Sequence, residues 1–362
     1  MARTVRVLAL RPQCRPERRP RYHVVFPILF FQGDSQVLSV NRLRAQVLIA
    51  GWLLVLCAAP SPAATYAIPA DGDTIIGDTH YVTARHEDTL LDIGRLHGVG
   101  YEEIVAANPG VDPWLPGEGQ RVLIPSRYIL PDGPRTGVVV SLAEHRLYYY
   151  PPVRSGEAPV VKTYPISIGK MDWKTPLGET RIVQKRERPA WYPPESVRRE
   201  HAAEGRPLPR VVPPGPDNPL GNYAMRLGIP GGAYLIHGTN RPAGVGMQVT
   251  HGCIRLFPED IEELYKLVPV NTQVRMIDQP LKMGWRGDEL YMEVHTPLEG
   301  TQDPGVHSLT NITRMLVSAT QDRSVVIDWA KAEKQFIAAT GVPEPVVLHA
   351  MTTRVWNDIE AE

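Results

Sequence analysis

"YLIHGTNRPAGVGMQVTHGCIRLFPEDI", residues 234–261, puts Cys253 two positions after His251 and sixteen after His237. "YLIHG" reads as a short strand. Pro258 opens a helix: proline suits the first turn, Glu259 and Asp260 suit its positive end, and Ile261, Leu264, Tyr265, Leu267 and Val268 make its buried stripe. Between strand and helix stands a cysteine flanked by Gly252 and Ile254, with polar Thr250, His251 and Arg255 around it. A small buried apolar side chain, a metal ligand and a nucleophile are the three roles to weigh.

Upstream and downstream the texture is the same. "TGVVVSL", "HRLYYYP", "APVVKTYPISIG", "GETRIVQKRERP", "YAMRLG", "AYLIHG" and "TQVRMID" are short runs rich in Val, Ile, Tyr and Thr, bounded by Gly, Pro and Asp. That pattern predicts a mainly β sandwich or barrel over residues 135–278. Before it, residues 79–126 differ. A strand over 81–84 precedes an amphipathic stretch with Leu90, Ile93 and Leu96–His97 on one face, ended by Gly98. A second helix over 101–108 stops at Asn108-Pro109-Gly110, and "RVLIP" returns as a strand, giving a small βααβ domain. After it, residues 279–362 form a partly helical extension. Leu309, Ile312, Leu316 and Ala319 are spaced as one helix face, and Trp329, Ala332, Phe336 and Ala339 as another.

Compartment decides how the cysteine is read. In "NRLRAQVLIAGWLLVLCAAPSPAA", residues 41–64, Arg42 and Arg44 form a positive region, 47–56 an apolar run, and Ser61-Pro62-Ala63 a small-x-small exit. That is a secretory signal rather than a membrane span, with residues 1–64 as extension and signal, and it predicts a periplasmic mature chain. A signal anchor is the alternative, and Cys57 invites a lipoprotein reading that bulky Leu56 argues against. Cleavage near residue 64 removes Cys14 and Cys57, leaving Cys253 alone in an oxidising compartment with no disulfide partner. With 39 basic and 39 acidic residues the formal charge is zero, which argues against nucleic acid or an anionic membrane as partner.

A metal site needs three or four ligands, commonly paired, and one cysteine beside one histidine does not supply them; no metal and no cofactor are expected. Apolar burial fits the polar neighbours poorly. A nucleophile uses all of them, because the thiolate is the reactive species and needs a nearby base or cation. If "THGC" runs extended, His251 and Cys253 lie about 6.5–7 Å apart along it, whereas a residue on a neighbouring strand comes within about 4.5–5.5 Å at Cβ. "YLIHG" is such a strand, which favours His237 as the base. Gly252 leaves room for a carbonyl and for backbone N–H donors to an oxyanion. Arg255 can hold a carboxylate in a fork or serve a structural ion pair.

"HGTN…THGCIR" resembles the signature of the L,D-transpeptidase (YkuD-type) family, with Thr250 where Ser is usual. "DTLLDIGRLHGV", "EEIVAANP" and "LPGEGQRVLIP" resemble a LysM module, and "YPISIGKMDWKTPLGET", "RPAWYPPESVRRE" and "VVPPGPDNPLGNYAMRLG" resemble the enterobacterial-type branch that joins the two. The resemblance implies a YkuD-type β fold with a LysM domain that binds peptidoglycan glycan. It implies that Cys253 attacks the L-centre carbonyl of meso-diaminopimelate in a tetrapeptide stem and releases D-Ala. An amine then takes the acyl group: a second stem, a lysine of an outer-membrane lipoprotein, or a D-amino acid. His237 would be the base, oriented by the Gly238 carbonyl; His251 and Gly252 would shape the oxyanion region, and Arg255 and Thr250 would support substrate. The proline-rich run 208–222 is a candidate wall or lid. Two other functions remain open: an L,D-carboxypeptidase or endopeptidase that gives the thioester to water, and a non-catalytic peptidoglycan-binding protein.

Overall fold

The computed structural model describes residues 64–70, 72–170, 175–230, 234–298 and 307–348. Cys14, Cys57 and all of the signal-like segment but its last residue lie outside the described residues. The described residues all belong to one compact unit, Ala58–Glu362.

The protein is mainly β. Nine strands form one sheet in the order Ala64–Ala67, Val160–Pro165, Arg146–Tyr150, Gly137–Ser141, Gln273–Ile277, Gly178–Glu187, Tyr223–Leu227, Leu235–His237, Ile254–Arg255. Two neighbouring pairs run parallel: Gln273–Ile277 with Gly137–Ser141, and Leu235–His237 with Ile254–Arg255. Alternate residues of these strands, among them Val138, Leu147, Ile182, Met225, Ile236 and Ile254, make the main core. Helix Pro258–Leu267 closes it with Ile261, Leu264 and then Val268. Leu267, expected in that stripe, is exposed. The helix turns 100° per residue, so 261, 264, 265 and 268 share a face and 267 lies well round from it.

The βααβ module has the expected order. Strands His80–Thr83 and Arg121–Ile124 pair antiparallel around helices Leu90–Leu96 and Tyr101–Ala107. A capping box starts the first helix: the Asp92 amide donates to Thr89 Oγ1 at 3.1 Å, and the Thr89 amide to the Asp92 carboxylate at 3.3 Å. Asn108 ends the second by donating to Ile104 O at 2.8 Å and Leu123 O at 2.9 Å, while accepting from the Leu123 amide at 2.7 Å.

This module is packed firmly on the large sheet. Fully buried Arg146, on the sheet, meets both carboxylate oxygens of Glu103 at 2.7 and 2.9 Å and the Gly98 carbonyl at 3.0 Å. An exposed fork joins Arg95 to Glu259 at 2.8 and 2.9 Å. Backbones touch where Gly246, at φ +90°, faces Gly100; a Cβ there would stand 2.2 Å from the Tyr101 amide nitrogen.

The C-terminal extension is built on a hairpin, Leu281–Arg286 with Glu289–Val294, which carries a third short strand, Glu344–Pro345. Helices Leu309–Thr320 and Trp329–Ala338 put Ile312, Leu316 and Ala332 against Leu290, Met292 and Val294. Leu309 and Trp329, the first residues of the two predicted faces, are about half exposed.

Candidate active site

The parallel pair Leu235–His237 and Ile254–Arg255 sets the site. Ile236 opposes Ile254, and both turn into the core. His237 opposes Arg255, so these two face the other way. Cys253 stands two residues before Arg255, whose charge acts on its thiol. The residue is partly buried, and it is in no disulfide among the described residues.

The chain does not arrive at Cys253 extended. Strand Gln248–Thr250 ends in a turn in which Gly252 takes φ +92°, and the Thr250 hydroxyl donates to the Cys253 carbonyl at 2.6 Å. The extended 6.5–7 Å spacing of His251 and Cys253 therefore does not apply, because the left-handed residue between them folds the chain back. Thr250, expected to meet substrate, is buried and spends its hydroxyl on this turn. Thr175 braces the same turn by donating to the Gly252 carbonyl at 3.2 Å, and the Lys170 amide donates to Thr250 O at 2.9 Å.

His237 is buried. Its Nδ1 lies 2.6 Å from the Gly238 carbonyl, which can only accept, so the proton sits on Nδ1 and Nε2 is left basic. Burial, then the Arg255 guanidinium, hold its pKa down to about 3 against the weaker upward pull of the Gly238 bond. Gly238 packs tightly, and a Cβ there would be 2.9 Å from Ile261 Cγ2. Burial also pushes the Cys253 thiol up, opposed by the Leu235 N–H and by Arg255. At rest the site holds a thiol and a neutral imidazole.

Arg255 is fixed through its main chain, which exchanges bonds with Ser167 at 2.8 and 3.1 Å. Its Nε is buried without a hydrogen-bond partner, and among the described residues it makes no salt bridge. The structural ion pair weighed for it is not formed. Its charge acts instead on Cys253 and His237.

His251 is engaged by a residue the sequence did not single out. Its Nε2 lies 2.7 Å from Glu200 Oε2, and Glu200 Oε1 lies 2.7 Å from Lys170 Nζ. These bonds, Lys170 first, hold the Glu200 carboxyl down to about 2. Glu200 is on helix Glu195–Ala203, part of the long excursion between neighbouring strands Gly178–Glu187 and Tyr223–Leu227. Asn218, fully buried, ties that excursion by donating to Pro189 O at 2.8 Å, Pro213 O at 3.2 Å and Val212 O at 3.3 Å. The sequence signal was Pro193-Pro194 before an acidic helix start; nothing local linked it to His251.

Among the described residues, Cys253 is in no candidate metal cluster. Glu144, Glu293 and His295 bring ligand atoms within 4.8 Å of one another. The Lys282 ammonium already sits among them, 2.9 Å from Glu144 and 2.8 Å from Glu293.

Comparison with known proteins adds the following. Residues 135–276 match the family YkuD, L,D-transpeptidase catalytic domain. The chain is 41% identical over 248 residues to "Probable L,D-transpeptidase YcfS" of Escherichia coli strain K12, covering 67% of this chain and 76% of that one. It is 40% identical over 267 residues to "Probable L,D-transpeptidase YbiS" of the same strain, covering 73% and 85%. The NMR structure of the catalytic domain from E. faecium L,D-transpeptidase covers 39% of this chain and 96% of its own, at 23% identity and a TM-score of 0.29.

Proposed function

This chain belongs to the L,D-transpeptidase family, and on that premise we propose that Cys253 is its nucleophile and His237 its base. It is a cysteine-dependent peptidoglycan L,D-transpeptidase. The observation that carries the residue assignment is the parallel register that sets His237 against Arg255, two residues from Cys253.

The steps follow from the tautomer. As Cys253 Sγ bonds to the carbonyl carbon at the L-centre of meso-diaminopimelate, its proton passes to His237 Nε2. The Gly238 carbonyl steadies the imidazolium through Nδ1–H, and Arg255 favours the departing thiolate charge. Backbone N–H groups around Gly252 and Cys253 stabilise the oxyanion, with His251 shaping that side. Collapse breaks the bond to D-Ala, whose amine takes the proton from Nε2. An incoming amine then loses its proton to Nε2, attacks the thioester and restores the thiol. No step calls for a cofactor.

The acceptor is an amine of a second stem, a lipoprotein lysine or a D-amino acid. We read residues 79–126 as a LysM module holding peptidoglycan glycan, 135–278 as the catalytic domain and 279–362 as an extension, with residues 1–64 exporting the chain to the periplasm. No helix among the described residues is long and apolar enough to cross a membrane. The excursion between residues 188 and 222, pinned by Asn218, supports transfer over hydrolysis, since it can wall the thioester from bulk water. The test is incubation with tetrapeptide muropeptide, with and without excess D-amino acid. Cross-linked dimers or exchanged stems are expected to dominate. Tripeptide as sole product in both conditions makes it a carboxypeptidase.

A further inference from the structure

The turn before Cys253 carries a pair of donors already closed on a carboxylate. Lys170 Nζ and His251 Nε2 each hold one oxygen of Glu200 at 2.7 Å. That is how two donors would hold the carboxylate of a bound peptide. The three side chains are 36%, 29% and 33% exposed, so solvent reaches them and the pairing can exchange.

The partners differ in how they are anchored. His251 belongs to the catalytic turn, and Lys170, just after strand Ile168–Gly169, is tied to that turn by its amide, which donates to the Thr250 carbonyl at 2.9 Å. Glu200 belongs to helix Glu195–Ala203, in which Val197 is the only buried residue. The donors are bonded to the turn that carries Cys253, whereas the carboxylate is on a helix held by one buried side chain.

We propose that Lys170 and His251 form the subsite for the terminal carboxylate of the donor peptide's leaving residue, and that Glu200 fills this subsite in the resting enzyme as an internal stand-in. The proposal rests on the reading of Cys253 as the nucleophile. Distance supports the leaving residue. Its carboxylate follows the scissile carbonyl by one residue, roughly 3.3–3.6 Å, and the thiol approaches that carbonyl to roughly 3–3.5 Å. Together these put the carboxylate about 7 Å or less from the thiol, and His251 stands two residues before Cys253 on the same turn. Charge supports it as well. Exchanging one carboxylate for another leaves Lys170 paired throughout, whereas a peptide with a neutral end has nothing with which to displace Glu200. Binding the correct donor thus frees helix Glu195–Ala203 from the catalytic turn.

Acylation of Cys253 by a synthetic tetrapeptide and by its C-terminal amide, followed by intact mass, tests this, with the acid-to-amide rate ratio as readout. The wild type should favour the acid by about two- to fivefold, the range of a half-exposed ion pair. Lys170→Gln should bring the ratio to about one. Glu200→Gln, which weakens the internal competitor, should raise it. Glu200→Gln slowing both donors in proportion would overturn the proposal and leave Glu200 as a positioning residue for His251. Lys170→Gln slowing both alike would also overturn it. Alkylation by iodoacetamide, which needs no subsite, checks that each variant keeps its site. If neither donor acylates the wild type while iodoacetamide still does, the transpeptidase assignment of Cys253 falls and takes this proposal with it.

Discussion

His237 and Arg255 stand directly opposite each other across a parallel strand pair, and Cys253 lies two residues before Arg255. A cation so placed resists protonation of the imidazole and favours ionisation of the thiol. Burial opposes both ions and wins at the thiol. The resting pair is therefore uncharged, and the proton moves only as the nucleophile bonds.

The first prediction concerns that proton. Alkylation of Cys253 by iodoacetamide should keep accelerating above about pH 8.5, the ordinary thiol midpoint. Arg255→Gln should move the midpoint higher still, since it removes a charge that lowers the thiol pKa. A rate already level by pH 7 would mean a preformed thiolate–imidazolium pair.

Acid should destabilise the protein through two buried histidines. His237 is held down to about 3 and His145 to about 4, each chiefly by burial, while both return to about 6.5 on unfolding. Their folded pKa values are depressed, so below about pH 6.5 the unfolded chain binds the extra protons. Stability is then complete above that pH and falls by about 1.4 kcal/mol per pH unit for each group as pH drops. His145 adopts φ +52°, which Asn tolerates. His145→Asn should remove about one proton from the slope of urea-unfolding stability between pH 6 and pH 4.5. An unchanged slope would contradict the assignment.

Two ion pairs anchor the βααβ module, one to the large sheet and one to helix Pro258–Leu267, and they should differ sharply in worth. Glu103→Gln leaves buried Arg146 without its counter-charge and should cost about 3–5 kcal/mol. Arg95→Gln breaks an exposed pair and should cost at most about 1 kcal/mol. Equal losses in urea unfolding would refute this account of the interface.

Glycan binding by the module should depend on exposed aromatic surface. Trp114 is 57% exposed and lies 6.3 Å from the Tyr101 ring, beside a groove that Pro242 and Phe257 also line. Trp114→Ala should weaken co-sedimentation with purified sacculi and leave iodoacetamide labelling of Cys253 unchanged. Undiminished sedimentation would make the module a spacer.

Much of this was legible in the sequence where the signal was local. Leu90 and Ile93 mark a helix face and Gly98 its end, Asn108-Pro109-Gly110 a second stop, and "YLIHG" a strand. What stayed hidden depends on contacts between distant residues. The hairpin Leu281–Arg286 with Glu289–Val294 has charged residues at buried positions, Lys282 and Glu293, whose mutual pairing erases the alternation a strand normally shows. Glu200 meets His251 across 51 residues, with no periodicity to mark it. The turn at Gly252 misled the spacing argument, because a single left-handed residue changes a distance that composition does not record.

The most direct test of the central claim is the intact mass of the purified protein during turnover of a tetrapeptide stem. A transient gain equal to the tripeptide acyl group, with release of D-Ala, should appear on the wild type and not on Cys253→Ala. It should accumulate much more slowly on His237→Ala, by the ~10²–10⁴ typical of losing a positioned base. An adduct that persists on Cys253→Ala, or D-Ala released with no adduct ever forming, would contradict the account.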